Sequence, residues 1–233
     1  MKHQFIETEN YIKCYEALDE MVSLPDHSHK MGLFYGEFGL GKTITLERLA
    51  NDTGAALVRT LGGWTPKSML SDICYELGVD DSGSTATLET RVINTLIADP
   101  RPIIIDEIDT ILSGHKNEMV VLRDIHDKAA VPIVFTGMEQ CLRLLRRDRH
   151  YFSRFVNIVK ITPNTRNDIA KYCQSAEITI EEDLVDYLHT KYANLRQIKT
   201  IIIRLERFCE DNDLESANVQ VLKTSKVEER NEI

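Results

Sequence analysis

Residues 36–43 place Gly36, Gly41, Lys42 and Thr43 at the fixed positions of a phosphate-binding loop, G-x-x-x-x-G-K-[ST]. This pattern constrains the fold strongly, because it works only between a strand and a helix. Glycines let the backbone curl so that successive N–H groups point at phosphate oxygens. Lys42 brings a point charge to the β/γ-phosphates, and Thr43 offers a hydroxyl to Mg²⁺. A helix starting here turns its positive end to the anion. The flanks agree: residues 31–35 are a short apolar run, and Ile44, Leu46, Leu49 and Ala50 follow at helix-compatible spacing.

A second signal is Ile103-Ile104-Ile105-Asp106-Glu107. Three β-branched residues ahead of two carboxylates predict a buried parallel strand that ends at a site, since ligands of open α/β sheets bind at the carboxyl ends of strands. This reads as a Walker B element in a phosphate-loop ATPase. Asp106 would hold Mg²⁺, and Glu107 would orient and deprotonate the attacking water. Asp109 either adds to this acidic edge or sits as a helix N-terminal carboxylate.

Hydrophobic periodicity predicts strands at 31–35, 55–60, 102–105, 131–136 and 155–161, separated by helices near 43–52, 66–78, 87–98, 116–129 and 138–147. A helix over 10–22 precedes them. Alternation of this kind predicts an α/β fold with a five-stranded parallel sheet covered on both faces. After Ile161 the pattern becomes helical only, near 164–175, 181–191 and 194–211. The expected organisation is a nucleotide-binding domain over 1–162, a small helical lid over 163–222 and a charged, flexible tail over 223–233.

Composition removes several classes. No run approaches the about eighteen apolar residues of a membrane span, and the N-terminus lacks an apolar signal-peptide core. Five dispersed cysteines without a C-x-x-C pair point to reduced thiols and a cytoplasmic protein. His27 and His29 fall in a loop and read as solvated. A net charge of −9 argues against a globally basic nucleic-acid binder, though not against a local basic surface.

Further segments resemble the AAA+ ATPases. Thr136 ends a strand where that class carries a polar sensor-1 residue. Ser153-Arg154-Phe155 resembles the segment with an arginine finger, Arg149 being the substitute. Ala193-Asn194-Leu195-Arg196 resembles the sensor-2 segment of the lid, with Ala193 where glycine is usual. The resemblance implies an ATP and Mg²⁺ site with Gly36, Glu37, Phe38, Gly39, Leu40, Gly41, Lys42, Thr43 and Ile44 around the nucleotide. Thr43 and Asp106 would hold the metal. Glu107, Lys42, Thr136, Arg154 and Arg196 would be catalytic, with Arg154 acting on a neighbour's ATP. Thr136 and Arg196 also admit plain readings, as a polar strand end and an exposed lid residue, and Arg154 admits that of a salt-bridged surface residue.

Within that class the chain is similar to the DNA-transposition ATPases typified by the B protein of phage Mu. The stretches that carry this are residues 5–11, 63–68 and 122–127, within a resemblance covering most of 5–212. It implies a ring or helical filament with ATP that coats duplex DNA and delivers it to a transposase. The Mu protein has a helix-turn-helix domain ahead of its core. Here the core starts almost at Met1, so DNA contact is expected from the core itself. Arg59 and Lys67 flank a Gly-Gly-Trp-Thr-Pro loop and are the candidate DNA contacts, through salt-dependent pairing with the backbone. The rivals are an AAA+ motor or secretion-associated ATPase that does not use DNA, and a nucleotide-gated scaffold with little hydrolysis.

Overall fold

The computed structural model describes residues 5–112, 117–192 and 194–228. Lys116 of the expected helix, Ala193 of the sensor-2 stretch and the end of the expected tail lie outside the described residues.

Two compact units are present. The larger runs over residues 13–37 and 42–161. Its sheet contains β1 (Met31–Gly36), β2 (Ala56–Arg59), β3 (Ile103–Asp106), β4 (Ile133–Gly137) and β5 (Phe155–Ile161). All pairings are parallel, in the order β2-β3-β4-β1-β5. The expected α/β fold with a five-stranded parallel sheet is therefore observed. Strand residues in the middle of such a sheet face apolar layers on both sides, so they read as continuous hydrophobic runs. Ile103, Ile104 and Ile105 are fully buried, each contributing about 1.5–3 kcal/mol of burial energy.

Helices α1 (Glu9–Ser23), α2 (Lys42–Thr53), α3 (Pro66–Glu76), α4 (Thr85–Ala98), α5 (Asp109–Leu112), α6 (Asn117–Ala129), α7 (Gln140–Arg146) and α8 (Arg149–Phe152) accompany the strands. Caps explain two of the starts. Thr65 and Ser68 form a reciprocal capping box that encloses Pro66, and the Ser84 hydroxyl accepts from the Thr87 amide. The four-residue helices α5 and α8 escape periodicity analysis because they are too short to show a repeat.

The smaller unit comprises residues 5–12, 38–41 and 162–228. It contains α9 (Arg166–Gln174), α10 (Glu182–Lys191), α11 (Leu195–Asp211), α12 (Val219–Ser225) and the short parallel pair β6 (Thr179–Ile180) and β7 (Ser216–Ala217). Its core is the α11 stripe of Leu195, Ile198, Ile201, Ile202, Leu205 and Cys209, packed with Leu184, Leu188 and Leu222. Residues near the start of the chain are tied into this unit. Asn10 donates to the Thr162 carbonyl at 2.8 Å and accepts from the Thr162 amide at 3.1 Å. Buried Asp168 accepts from the Glu9 amide at 3.0 Å while also closing the capping box of α9.

All five cysteines are buried and free of disulfides. Among the described residues no helix is long and apolar enough to cross a membrane.

Candidate functional site

Parallel strands bring their carboxyl ends to one edge of the sheet, and Lys42, Asp106, Glu107 and Thr136 gather there. β4 lies between β1 and β3, so Thr136 stands between the phosphate loop and Asp106. The Thr136 hydroxyl donates a short hydrogen bond to Asp106 Oδ1, which also accepts the Glu107 amide at 2.9 Å. Thr136 is fully buried and Asp106 nearly so.

Asp106 Oδ2 is buried without a hydrogen-bond partner. The Arg59 Nε lies 3.5 Å away as an ion-pair neighbour, and the rest of that guanidinium faces Glu47 at 3.9 Å. A buried carboxylate oxygen with a free lone pair is costly unless a cation or water completes it. The residues therefore fit a divalent ion at Asp106.

Lys42 opens α2 and folds back over its own loop. Its Nζ donates to the carbonyls of Gly36 at 2.8 Å and Glu37 at 2.7 Å, with Met138 Sδ at 3.7 Å. Burial lowers its pKa, opposed by the charges of Asp106, Asp109, Cys141 and Glu107. The ammonium thus stands in a partly dehydrated place where an anionic ligand would be attracted strongly.

The loop bends at glycine. Gly39 and Gly41 adopt φ of 81° and 87°, the left-handed region. A side chain at Gly39 would also collide with the Asn194 amide. Leu40 is buried, whereas Phe38 and Ile44 are exposed. Thr43 occupies the second position of α2.

Glu107 is exposed and has a φ of 62°, unusual for a residue with a side chain. Such a conformation costs about 1–3 kcal/mol and persists where neighbours hold it. Thr60 holds this one: its hydroxyl donates to the Glu107 carbonyl at 2.6 Å, and its amide donates to the Asp106 carbonyl at 3.0 Å. Thr110 donates to the Thr60 hydroxyl at 3.1 Å. Sequence reasoning missed Thr60. The signal was positional, since pairing of Arg59 with Asp106 puts the next residue, Thr60, beside Glu107.

Asp109 heads α5 and acts on the neighbouring loop. It accepts from the Met138 amide at 3.0 Å, Gln140 Nε2 at 3.1 Å and Cys141 Sγ at 3.0 Å. It thereby fixes the segment that leaves β4 and that presents Met138 to Lys42. Burial, then the Asp109 contact, pushes the Cys141 thiol up.

Arg154 lies at the opposite edge. Its carbonyl accepts from the amide of Met31, the first residue of β1, while the phosphate loop leaves the last, Gly36. Six strand residues span roughly 16 Å at ~3.3 Å per step, so Arg154 cannot reach its own Lys42. Its guanidinium donates to both oxygens of Asp127, at 3.3 and 3.1 Å, and to the His150 carbonyl at 2.9 Å. Arg149 begins α8 and is exposed. Lys67 is exposed on the first turn of α3, and the Trp64 indole donates to Asp72 at 2.7 Å. In the smaller unit, Arg196 is exposed on the first turn of α11, behind the Asn194 cap.

A family model described as AAA domain matches residues 26–145, more than half of the chain. The chain belongs to the AAA domain family. No curated protein matches it. Among solved structures, this AAA protein is similar to the Aeropyrum pernix ORC2 protein, determined as ADPNP-ADP complexes. The identity is 15%, with 99% of this chain and 71% of that chain covered and a TM-score of 0.76. It is also similar to the A. pernix ORC1 protein in complex with DNA, at 17% identity, 96% and 66% coverage and a TM-score of 0.63. A third similarity is to the Thermotoga maritima RuvB Holliday junction branch migration motor, at 17% identity, 95% and 69% coverage and a TM-score of 0.64. At these identities the likeness is one of fold, and the fold is that of the AAA+ phosphate-loop NTPases.

Proposed function

We propose that this AAA protein is an ATP hydrolase that assembles with ATP and acts on duplex DNA, delivering it to a transposase. The observation that carries hydrolysis is the convergence of Lys42, Asp106, Glu107 and Thr136 on one sheet edge, with Asp106 Oδ2 left without a hydrogen bond.

In this reading Lys42 leaves its carbonyl partners for the β/γ-phosphates. Thr43 and Asp106 hold Mg²⁺, which when bound would neutralise phosphate charge. Thr136 keeps the Asp106 carboxylate oriented and senses the γ-phosphate. Glu107, displayed by its left-handed backbone, takes the proton of the attacking water. Arg196 is the lid contribution to the γ-phosphate. Arg154 completes the site of a neighbouring copy, because it stands at the far end of the strands from its own loop. This supports a homo-oligomer in which turnover depends on assembly.

Action on DNA is supported by the similar fold of the ORC1 protein solved in complex with DNA and of the RuvB branch migration motor. Lys67 is the exposed cation beside the Gly-Gly-Trp-Thr-Pro loop. Arg59 has two acidic neighbours and links that loop's strand to Asp106. A net charge of −9 weakens long-range attraction for one copy, and repetition along a duplex multiplies modest contacts. The transposition role rests on the resemblance of residues 5–11, 63–68 and 122–127.

Steady-state ATP turnover with and without duplex DNA tests the reading. DNA-stimulated turnover that vanishes in Lys42→Ala is expected. Removal of the Lys42 charge-assisted contacts should weaken ATP binding about 10–100-fold. Turnover indifferent to DNA, together with no ATP-dependent DNA binding at low salt, would point to an AAA+ motor that does not use DNA.

A further inference from the structure

His29 precedes β1, and the sequence groups it with His27 in a solvated loop. The fold gives it a different neighbour, nearly a hundred residues away in the chain. The rings of His29 and His126 stand 6.3 Å apart between centroids, and Asp127 follows His126 at the end of α6. One ligand atom from each of His29, His126 and Asp127 falls within 4.8 Å of the others. This cluster lies at the amino ends of the strands, away from the phosphate loop.

We propose that His29, His126 and Asp127 form a site for a divalent transition-metal ion of the Zn²⁺ type. Two imidazoles and a carboxylate suit such ions, leaving a fourth position for water. His126 is buried and oriented: its Nδ1 lies 3.0 Å from the Val131 carbonyl, which fixes the tautomer and turns the Nε2 lone pair toward the cluster. The Lys30 amide reaches that Nε2 only at 3.4 Å, a long hydrogen bond that an ion would replace. Asp127 Oδ1 stands 4.0 Å from His126 Nε2. Donors around a tetrahedral ion sit about 3.4 Å apart, so closing the site draws the ligand atoms together by up to about 1.4 Å, a movement that a side-chain torsion of exposed His29 can supply. His29 is exposed and free to complete it.

Arg154 is the competitor, because it donates to both oxygens of Asp127. Metal and guanidinium would then contest one carboxylate. This gives a specific signature: removing the Arg154 side chain tightens metal binding.

The test is calorimetric titration of the chelator-treated full chain with Zn²⁺, without nucleotide or DNA. Expected are one site per chain and at least a tenfold loss of affinity in His29→Ala, with His27→Ala unchanged. Arg154→Ala should bind more tightly, and Co²⁺ should give the intense visible absorption of tetrahedral coordination. His29 is exposed, so its removal leaves the fold in place. Absent binding at about 100 µM Zn²⁺, equal affinity in His29→Ala, loss of affinity in His27→Ala, or no gain in Arg154→Ala would each overturn the site.

Discussion

Arg154 grips both carboxylate oxygens of Asp127, at the end of the sheet farthest from the phosphate loop of its own chain. Burial acts to raise the Asp127 pKa, but the hydrogen bond and charge of Arg154 outweigh it and hold the carboxyl low. The pair is preorganised on the folded chain, and in the proposed function Arg154 serves a partner copy.

Arg154→Ala should therefore bind ATP normally and lose assembly-dependent turnover by about 10³-fold or more. Mixing it with Glu107→Gln restores part of the activity, because one interface then pairs an intact Glu107 with an intact Arg154. Turnover by single and mixed variants measures this. Full activity in Arg154→Ala alone would move the role to Arg149.

Glu107→Gln keeps the shape of the side chain and its Thr60-held backbone but removes the base. Turnover should fall about 10²–10⁴-fold while ATP affinity stays near the wild-type value. Filter-retained nucleotide and size-exclusion chromatography should show an ATP-trapped assembly. Unaltered turnover would place water activation elsewhere.

Lys67 and Arg59 should separate. Lys67→Ala is expected to weaken duplex binding and to reduce its salt slope by about one, with ATP affinity unchanged. Arg59→Ala removes a cation beside Asp106, so it should alter nucleotide and metal affinity as well. Anisotropy titrations at several salt concentrations, paired with nucleotide titrations, distinguish the two. A Lys67→Ala protein that binds DNA as wild type would exclude that contact.

The end of the smaller unit contains an acid-sensitive clasp. Glu228 accepts from Tyr187 at 3.1 Å and from Lys191 at 2.9 Å, and makes a short bond with Tyr192. Burial works to raise its pKa, and the bonds from Tyr192, Lys191 and Tyr187 bring it below the usual value. The Tyr192 hydroxyl is pushed up to about 12, by burial first and then by Glu228. A carboxyl whose folded pKa is depressed adds stability above its unfolded pKa of about 4.3. That stability disappears as pH falls through the lower folded value. Glu228→Gln should thus be less stable by about 1 kcal/mol at pH 7, with the difference closing as pH falls through the lowered folded value. Urea unfolding monitored across that range checks it; a constant difference would refute the linkage.

Much of the fold was legible because parallel strands and covering helices leave strong periodic signals. The five strand candidates, Gly36 to Thr43 and the Asp106–Glu107 strand end could all be read from local patterns. The helix expected near 194–211 was legible for the same reason. The short helices α5 and α8 and the pair β6–β7 were not, because two to four residues cannot show a period.

What the sequence determined alone was the kind of chemistry: a glycine loop with Lys42 and Thr43, and a β-branched strand ending in two carboxylates. Each depends on residues adjacent in the chain, so composition and spacing suffice. Tertiary structure decided which distant side chains meet. It set Thr60 under Glu107, Thr136 on Asp106, Asp127 on Arg154 and His29 beside His126. Those pairings come from strand order and from which ends of parallel strands coincide. They involve partners 27 to 97 residues apart, beyond the reach of any local period.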